Sequence, residues 1–133
     1  MSALEPLPGP ERLETQVTDP PLQLSVALRR VDGDLDLLKE LVKTFQEDLP
    51  ERTQRLRAAL DRGDSQETAR SAHSLRGSLG ILAAQQAQSL ATELETLAAE
   101  GRLDEAARLY PTFESELGRV TAFVSSPDWQ SQP

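Results

Sequence analysis

The sequence predicts an all-α protein, folded as an antiparallel up-down-up-down four-helix bundle with a short extra N-terminal helix. Leu and Ala recur throughout, whereas aromatic residues make up only 4% of the 133 residues and β-branched runs are missing, which favours helix over sheet. Apolar residues repeat at spacings of three and four in several long segments, as expected of helices with one buried face. Only a few residues join these segments, and short connections make consecutive helices antiparallel neighbours.

The chain divides into one helical domain and two terminal segments. Residues 1–19 combine proline, glycine and charge without periodicity and are predicted to form a flexible leader. Residues 20–125 are predicted to form the bundle, and residues 126–133 a flexible tail. Trp129 has the bulk to fold back onto the bundle, but we expect a disordered end. The starting Met1 and the polar tail favour a free-standing protein.

The first two helices are separated by a glycine. Asp19 is a candidate N-cap for the first helix, with prolines in its first turn, and Gly33 ends that helix. The second helix begins at Asp34, and Pro50 predicts a kink or a break within it. Its apolar stripe consists of Leu35, Leu38, Leu41, Val42, Phe45, Leu49, Leu56, Ala59 and Leu60.

The remaining three helices have recognisable starts or ends. Asp64 and Glu67 have the spacing of a capping box, which opens a third helix running to about Leu82. The fourth helix ends at Gly101, a candidate C-cap. The fifth helix follows with a bend predicted at Pro111, and its stripe runs from Leu103 to Val124.

Composition excludes several classes of function. The net charge of -8 disfavours nucleic acid as a partner, because phosphate binding needs a clustered basic face. The absence of cysteine excludes disulfides, thiol chemistry and thiolate metal sites. No apolar run approaches the roughly 18 residues that a membrane helix needs, and no signal peptide is recognisable. We therefore expect a soluble, cytoplasmic protein that does not bind membranes.

His73 is the only histidine and is predicted to face away from the core. At 100° per residue, the apolar stripe of its helix lies on the opposite side. That stripe consists of Ala72, Leu75, Leu79, Leu82 and Ala83. The face within about 60° of the imidazole is small and cationic. It consists of Gln66, Ala69, Arg70, Arg76, Gly77 and Gly80.

This pattern argues against metal binding and hydrolysis. The positions three and four residues from His73 carry no metal ligand, so we predict no metal site. No Gly-x-Ser-x-Gly elbow is present, and the sequence shows no clear second acid or base near His73 for a hydrolase. Gly77 and Gly80 each cost about 1 kcal/mol relative to Ala within a helix. They are predicted to open access to the imidazole; close helix packing and fraying after Gly77 are the alternatives.

A cationic face around an exposed imidazole predicts phosphoryl transfer. The guanidinium of Arg76 lies one turn from His73 and can bind phosphoryl oxygens bidentately. Arg70 and Arg76 both disfavour the imidazolium, which keeps a ring nitrogen available as a nucleophile. Arg70 has the alternative role of an ordinary solvated helix residue.

The segment "AHSLRGSLGILAA" resembles the signature of the histidine-containing phosphotransfer (HPt) domains of two-component phosphorelays. The resemblance extends over about residues 20–124 and includes "LATELETLAAEG" in the following helix. Two positions depart from the family pattern. Arg76 stands where the family usually has lysine, and Ala83 occupies the place of a usual glycine, so the end of the histidine helix is expected to pack differently.

The resemblance implies a function and a set of partners. His73 would accept a phosphoryl group from the aspartate of one receiver domain and pass it to another, without kinase activity of its own. The partners would be receiver domains of response regulators or of a hybrid sensor kinase, and any Mg²⁺ would belong to the receiver. The chain itself would need no cofactor and would act as a monomer. Ile81 would add apolar area to the docking surface or lie at its partly buried edge. The alternative is a docking module that binds a receiver or kinase without being phosphorylated.

Overall fold

A computed structural model describes residues 20–131, and this part of the chain is entirely helical outside its connections. The helices are α1 (Leu24–Arg30), α2 (Leu35–Asp61), α3 (Ser65–Ile81), α4 (Gln85–Ala99) and α5 (Leu103–Ser125), followed by a 3₁₀ helix (Pro127–Ser131). The predicted all-α class is confirmed. The predicted leader, with its candidate cap Asp19, lies outside the described residues.

Helices α2 to α5 form the bundle. Each packs against the next, and α2 also packs against α5, which closes the ring. The connections 62–64, 82–84 and 100–102 are short, so consecutive helices run antiparallel. Ala83 turns the chain from α3 to α4 with a left-handed φ of 58°, a conformation that glycine adopts more readily than alanine. None of the helices within residues 20–131 is both long and apolar enough to cross a membrane.

The core contains most of the residues that the apolar stripes predict, whereas Leu41 and Leu103 are half-buried and lie outside the core cluster. On α3, the predicted inner face is buried, with Leu75 and Leu79 both 0% exposed. The largest fully buried apolar side chains lie on all four bundle helices, and they are Leu38, Leu56, Leu75, Leu79, Leu94, Phe113 and Val120. This packing fixes which face of α3 points to water.

Helix α1 begins later than the sequence predicts. It starts at Leu24, and the prolines precede it instead of forming its first turn. The backbone N–H of Gln23 donates to the carbonyl of Ala83 over 3.1 Å, while Leu22 is buried at 4% exposure. These contacts hold the segment before α1 against the connection between α3 and α4, which explains the delayed start.

Helix α2 is not broken at Pro50. It continues to Asp61, and α5 likewise continues through Pro111. Pro50 is exposed, so its ring displaces no core side chain. Phe45 and Leu56, on either side of the proline, are buried in the same core and hold both halves of α2 in place.

The structure differs from our expectation at Trp129. Its side chain is only 5% exposed and belongs to the core cluster, and its indole N–H donates to the carbonyl of Val124 over 2.9 Å. The open end of the bundle offers apolar surface from Leu22 and Phe123, and burial of the large indole there favours the packed position. Of the two possibilities for Trp129, the structure shows the one in which it folds back.

Candidate functional site

The start of α3 is fixed by Asp64. Its Oδ1 accepts a hydrogen bond from the backbone N–H of Glu67 over 3.0 Å, which is the N-cap half of the predicted capping box. The reciprocal half is not formed, since the backbone N–H of Asp64 donates to the carbonyl of Ala59. The Glu67 carboxylate accepts from Arg70 and Ser71 within α3. The cap sets where the helix begins, and the buried stripe then sets the direction of His73.

His73 projects from the bundle as predicted. Its side chain is 61% exposed, whereas its neighbour Ala72 is fully buried. A visiting molecule can therefore reach the imidazole.

Glu95 of α4 lies beside His73. The Glu95 Oε2 is 2.9 Å from the imidazole Nδ1, and Glu95 Oε1 is 3.0 Å from the Nε of Arg76. The Arg76 Nη2 is also 2.7 Å from the same Nδ1. The Glu95 side chain is 28% exposed, so water screens its charge only in part. The Glu95 carboxylate and the Arg76 guanidinium thus both lie beside the Nδ1 of His73.

The two contacts of Nδ1 correspond to two states of the ring. When Nδ1 carries a proton, it donates to Glu95; when Nδ1 is unprotonated, it accepts from Arg76. Within residues 20–131, every hydrogen bond of the ring involves Nδ1. Nε2 has no hydrogen-bond partner among these residues.

The two glycines have different surroundings. Gly77 is exposed, and a Cβ added there would meet nothing within 4 Å. A Cβ at Gly80 would lie 2.7 Å from the Nε2 of Gln88 on α4. Gly77 therefore fits the predicted open surface, while Gly80 fits the alternative of close helix packing.

The other predicted binding residues spread along α3. Arg70 is 67% exposed and pairs with Glu67 over 3.0 Å. Gln66 is exposed and Ala69 is half-buried, both closer to the start of the helix. Ile81 is 47% exposed at the other end, so it is an apolar surface residue instead of a buried edge.

Glu95 is the residue that the sequence argument missed. Our argument against a hydrolase rested on the lack of a second acid or base near His73, and Glu95 is such a group. The sequence holds a signal for it: Ala84 lies midway between His73 and Glu95, and also midway between Gly80 and Gln88. Residues equally distant from a tight antiparallel connection lie opposite each other, so the hairpin predicts both contacts.

Arg52 of α2 is a second residue that sequence reasoning missed. Its guanidinium donates to the Ser78 hydroxyl over 2.9 Å and to the carbonyl and hydroxyl oxygens of Ser74 over 2.7 and 2.8 Å. Burial lowers the pKa of Arg52, and the nearby Asp48 carboxylate opposes that shift. Its contact with α3 depends on how α2 and α3 cross, and no local pattern encodes that crossing.

A small cavity of about 160 Å³ opens beside these contacts, between α2 and α3. We call it the α2–α3 pocket; it is lined by Leu41, Thr44, Phe45, Asp48, Arg52, Ser78, Ile81 and Leu82. A second cavity, of about 300 Å³, lies between α2 and α5 and has no lining residue on α3. Within the described range, no three His, Cys, Asp or Glu side chains converge to form a metal site.

A family model for the Hpt domain matches residues 40–123, which is more than half of the chain. The chain belongs to the Hpt domain family. Searches of curated proteins and of solved structures found no significant match. Hpt domains are phosphotransfer carriers in two-component phosphorelays; they are not kinases, and they interact with receiver domains. In this Hpt domain the match includes all of α3 and α4, and therefore His73 and Glu95, whereas α1 and the 3₁₀ helix lie outside it.

Proposed function

We propose that this Hpt domain accepts a phosphoryl group on His73 from the aspartate of one receiver domain and transfers it to the aspartate of another. The observation that carries the proposal is the exposed imidazole whose Nδ1 is held by Glu95, which leaves Nε2 as the nucleophile. A metal or cofactor of this chain takes no part in the proposal. Mg²⁺ would be bound by the receiver.

The transfer balances without loss of a proton. The lone pair of Nε2 attacks the phosphorus of the receiver's aspartyl phosphate, a P–N bond forms, and the P–O bond to the aspartate breaks and releases its carboxylate. The ring keeps its proton on Nδ1 and becomes positively charged. Glu95, 2.9 Å from that nitrogen, offsets the new charge. The reverse of these steps delivers the phosphoryl group to the second receiver.

Arg76 would stabilise the phosphoryl group in transit. Its Nη2 lies 2.7 Å from the imidazole Nδ1, one turn along α3. Once Nδ1 is protonated, Nη2 no longer has an acceptor there and can donate to phosphoryl oxygens, while the Nε of Arg76 stays beside Glu95. Arginine presents a planar fork that matches such oxygens, as the predicted role requires.

The receiver would dock on the face formed by α2 and α3. Ile81 and Leu37 are the exposed large apolar residues of the described chain, at 47% and 44%, and Leu41 follows Leu37 by one turn on α2. Gly77 has no side chain that would project between the α2–α3 pocket and His73. An apolar patch beside a reactive, charged residue suits a partner that must bring its own carboxylate close to the imidazole.

The test is phosphoryl exchange with a panel of phosphorylated receiver domains. An acid-labile, base-stable label on the intact chain that disappears in His73→Gln supports the proposal. Because His73 is largely exposed, the variant should keep its circular dichroism spectrum and its receiver affinity. Binding of a receiver without any label would establish the alternative, a docking module. Release of inorganic phosphate without a labelled intermediate would instead indicate hydrolysis assisted by Glu95.

A further inference from the structure

Arg52 spans the turn of α3 that follows His73. Its Nη2 donates to the carbonyl and hydroxyl oxygens of Ser74, and its Nη1 donates to the hydroxyl of Ser78. Ser74 and Ser78 are four residues apart, so a single guanidinium from α2 connects the two ends of one helical turn. Arg76 and Gly77 lie within that turn.

This turn combines Leu75, which is buried in the core, with Gly77 on its exposed side. Gly77 has no side chain, and nothing in the described structure lies within 4 Å of where one would be. Glycine weakens a helix because its backbone has more freedom to lose than that of any other residue. An external contact on the exposed side of this turn therefore offsets part of the stability that Gly77 costs.

The opposite flank of the turn is held by α4. Glu95 contacts both His73 and Arg76, at 2.9 and 3.0 Å. Arg52 provides the matching contact from α2. Between these two flanks the imidazole and Gly77 remain exposed, so the histidine turn is held on both sides without being covered.

Arg52 does not have the solvent-exposed position that is usual for an arginine on a helix surface. Its guanidinium is partly buried among serine oxygens of another helix. Arg55, three residues later on α2, shows the ordinary arrangement: its side chain is 58% exposed and pairs with Glu51 of the same helix.

We propose that Arg52 is a positioning residue for the transfer: it braces the turn from Ser74 to Ser78 and so keeps His73 and Arg76 in a fixed orientation while a receiver approaches. This inference rests on the proposed function. Arg52 acts through the turn and does not touch the phosphoryl group. It should therefore affect the rate of transfer within the complex more than the affinity of the complex.

The test begins with Arg52→Met, which keeps an unbranched apolar stem and removes the donors. Single-turnover transfer from a phosphorylated receiver is measured over a range of receiver concentrations. We expect the limiting rate to fall about tenfold, because small misplacements of reacting groups cost up to about 100-fold, while the half-saturating concentration changes less than about twofold. Arg55→Met is the matched control and should transfer at the wild-type rate. Amide hydrogen exchange of residues 74–81 should become faster in Arg52→Met only.

A second variant separates bracing from general stability. Gly77→Ala strengthens the turn itself, since alanine favours helix and the added Cβ meets no neighbour. Arg52→Met should therefore lower the limiting transfer rate by a smaller factor in the Gly77→Ala background than in the wild-type background.

Three results would overturn the inference. The first is an unchanged limiting transfer rate in Arg52→Met. The second is a change in the half-saturating receiver concentration alone, and the third is an equal fall in the limiting rate in the wild-type and Gly77→Ala backgrounds. If the wild-type protein takes no phosphoryl label at all, the proposed function fails. Faster amide hydrogen exchange in Arg52→Met would then show that Arg52 has a structural role alone.

Discussion

Glu95→Gln tests the arrangement around His73 most directly. The substitution keeps the size of the side chain and an oxygen that can accept from Nδ1, and it removes the negative charge. The positive charge that transfer creates on the ring would then lie beside a neutral amide. Both the transfer rate and the equilibrium yield of phosphohistidine should fall.

The size of the effect follows from the distance between the two charges. At 2.9 Å, from Nδ1 to Oε2, the attraction is about 1.4 kcal/mol with the dielectric constant of water, about 80. The Glu95 side chain is only 28% exposed and water screens the pair only in part, so this value is the lower limit of the effect. A difference of about 1.4 kcal/mol corresponds to a change of roughly tenfold in rate and in yield.

The assay is phosphoryl transfer from one saturating receiver, with label on the chain followed over time. Glu93→Gln, an exposed position on the same helix, makes the same change of charge away from His73 and should leave both quantities unchanged. Wild-type rate and yield in Glu95→Gln would refute the role assigned to the carboxylate. A comparable loss in Glu93→Gln would mean that net charge, and not the contact, determines the rate.

Three further variants have expected outcomes. Arg76→Ala should slow transfer about 100-fold while weakening receiver binding much less, and equal losses in rate and in Kd would count against transition-state stabilisation. Tyr110→Phe should be about 1 kcal/mol more stable at pH 7 in urea unfolding, because the buried Tyr110 hydroxyl has no hydrogen-bond partner within residues 20–131. Burial, with a smaller contribution from Glu114, raises the pKa of Tyr110 from 10.0 to about 12, so the wild-type protein should lose stability as pH rises through that range, and a similar loss in Tyr110→Phe would contradict the assignment. Trp129→Ala should lose about 3 kcal/mol, and a loss below about 0.5 kcal/mol would show that the indole contributes little to the core.

Local patterns predicted the parts of the site that lie on a single helix. The exposure of His73, its contact with Arg76 and the open surface at Gly77 all follow from 100° steps along α3 and from the buried stripe opposite. Glu95 was missed because it comes from the next helix, although the symmetric spacing around Ala84 indicates it. Arg52 was missed for a different reason: α2 and α3 meet at a register set by packing of the whole core.

The fold differs from the sequence prediction where tertiary contacts decide. Prolines predict helix ends from local geometry, yet burial on both sides of Pro50 keeps α2 continuous. The segment at Trp129 is short and polar around one large side chain, and its position depends on apolar surface that only the assembled bundle provides.

The connection between α3 and α4 must keep its number of residues as well as its turn. Inserting one residue between Leu82 and Ala84 would change the register of α4 relative to α3, so that Glu95 and His73 would no longer be equally distant from the turn. The connection at residues 100–102 carries no such restriction, since none of the described residues beyond it hydrogen-bonds to His73. A tag, a fluorophore or a longer loop is therefore best introduced between α4 and α5, where a change in length leaves the phosphotransfer site in register.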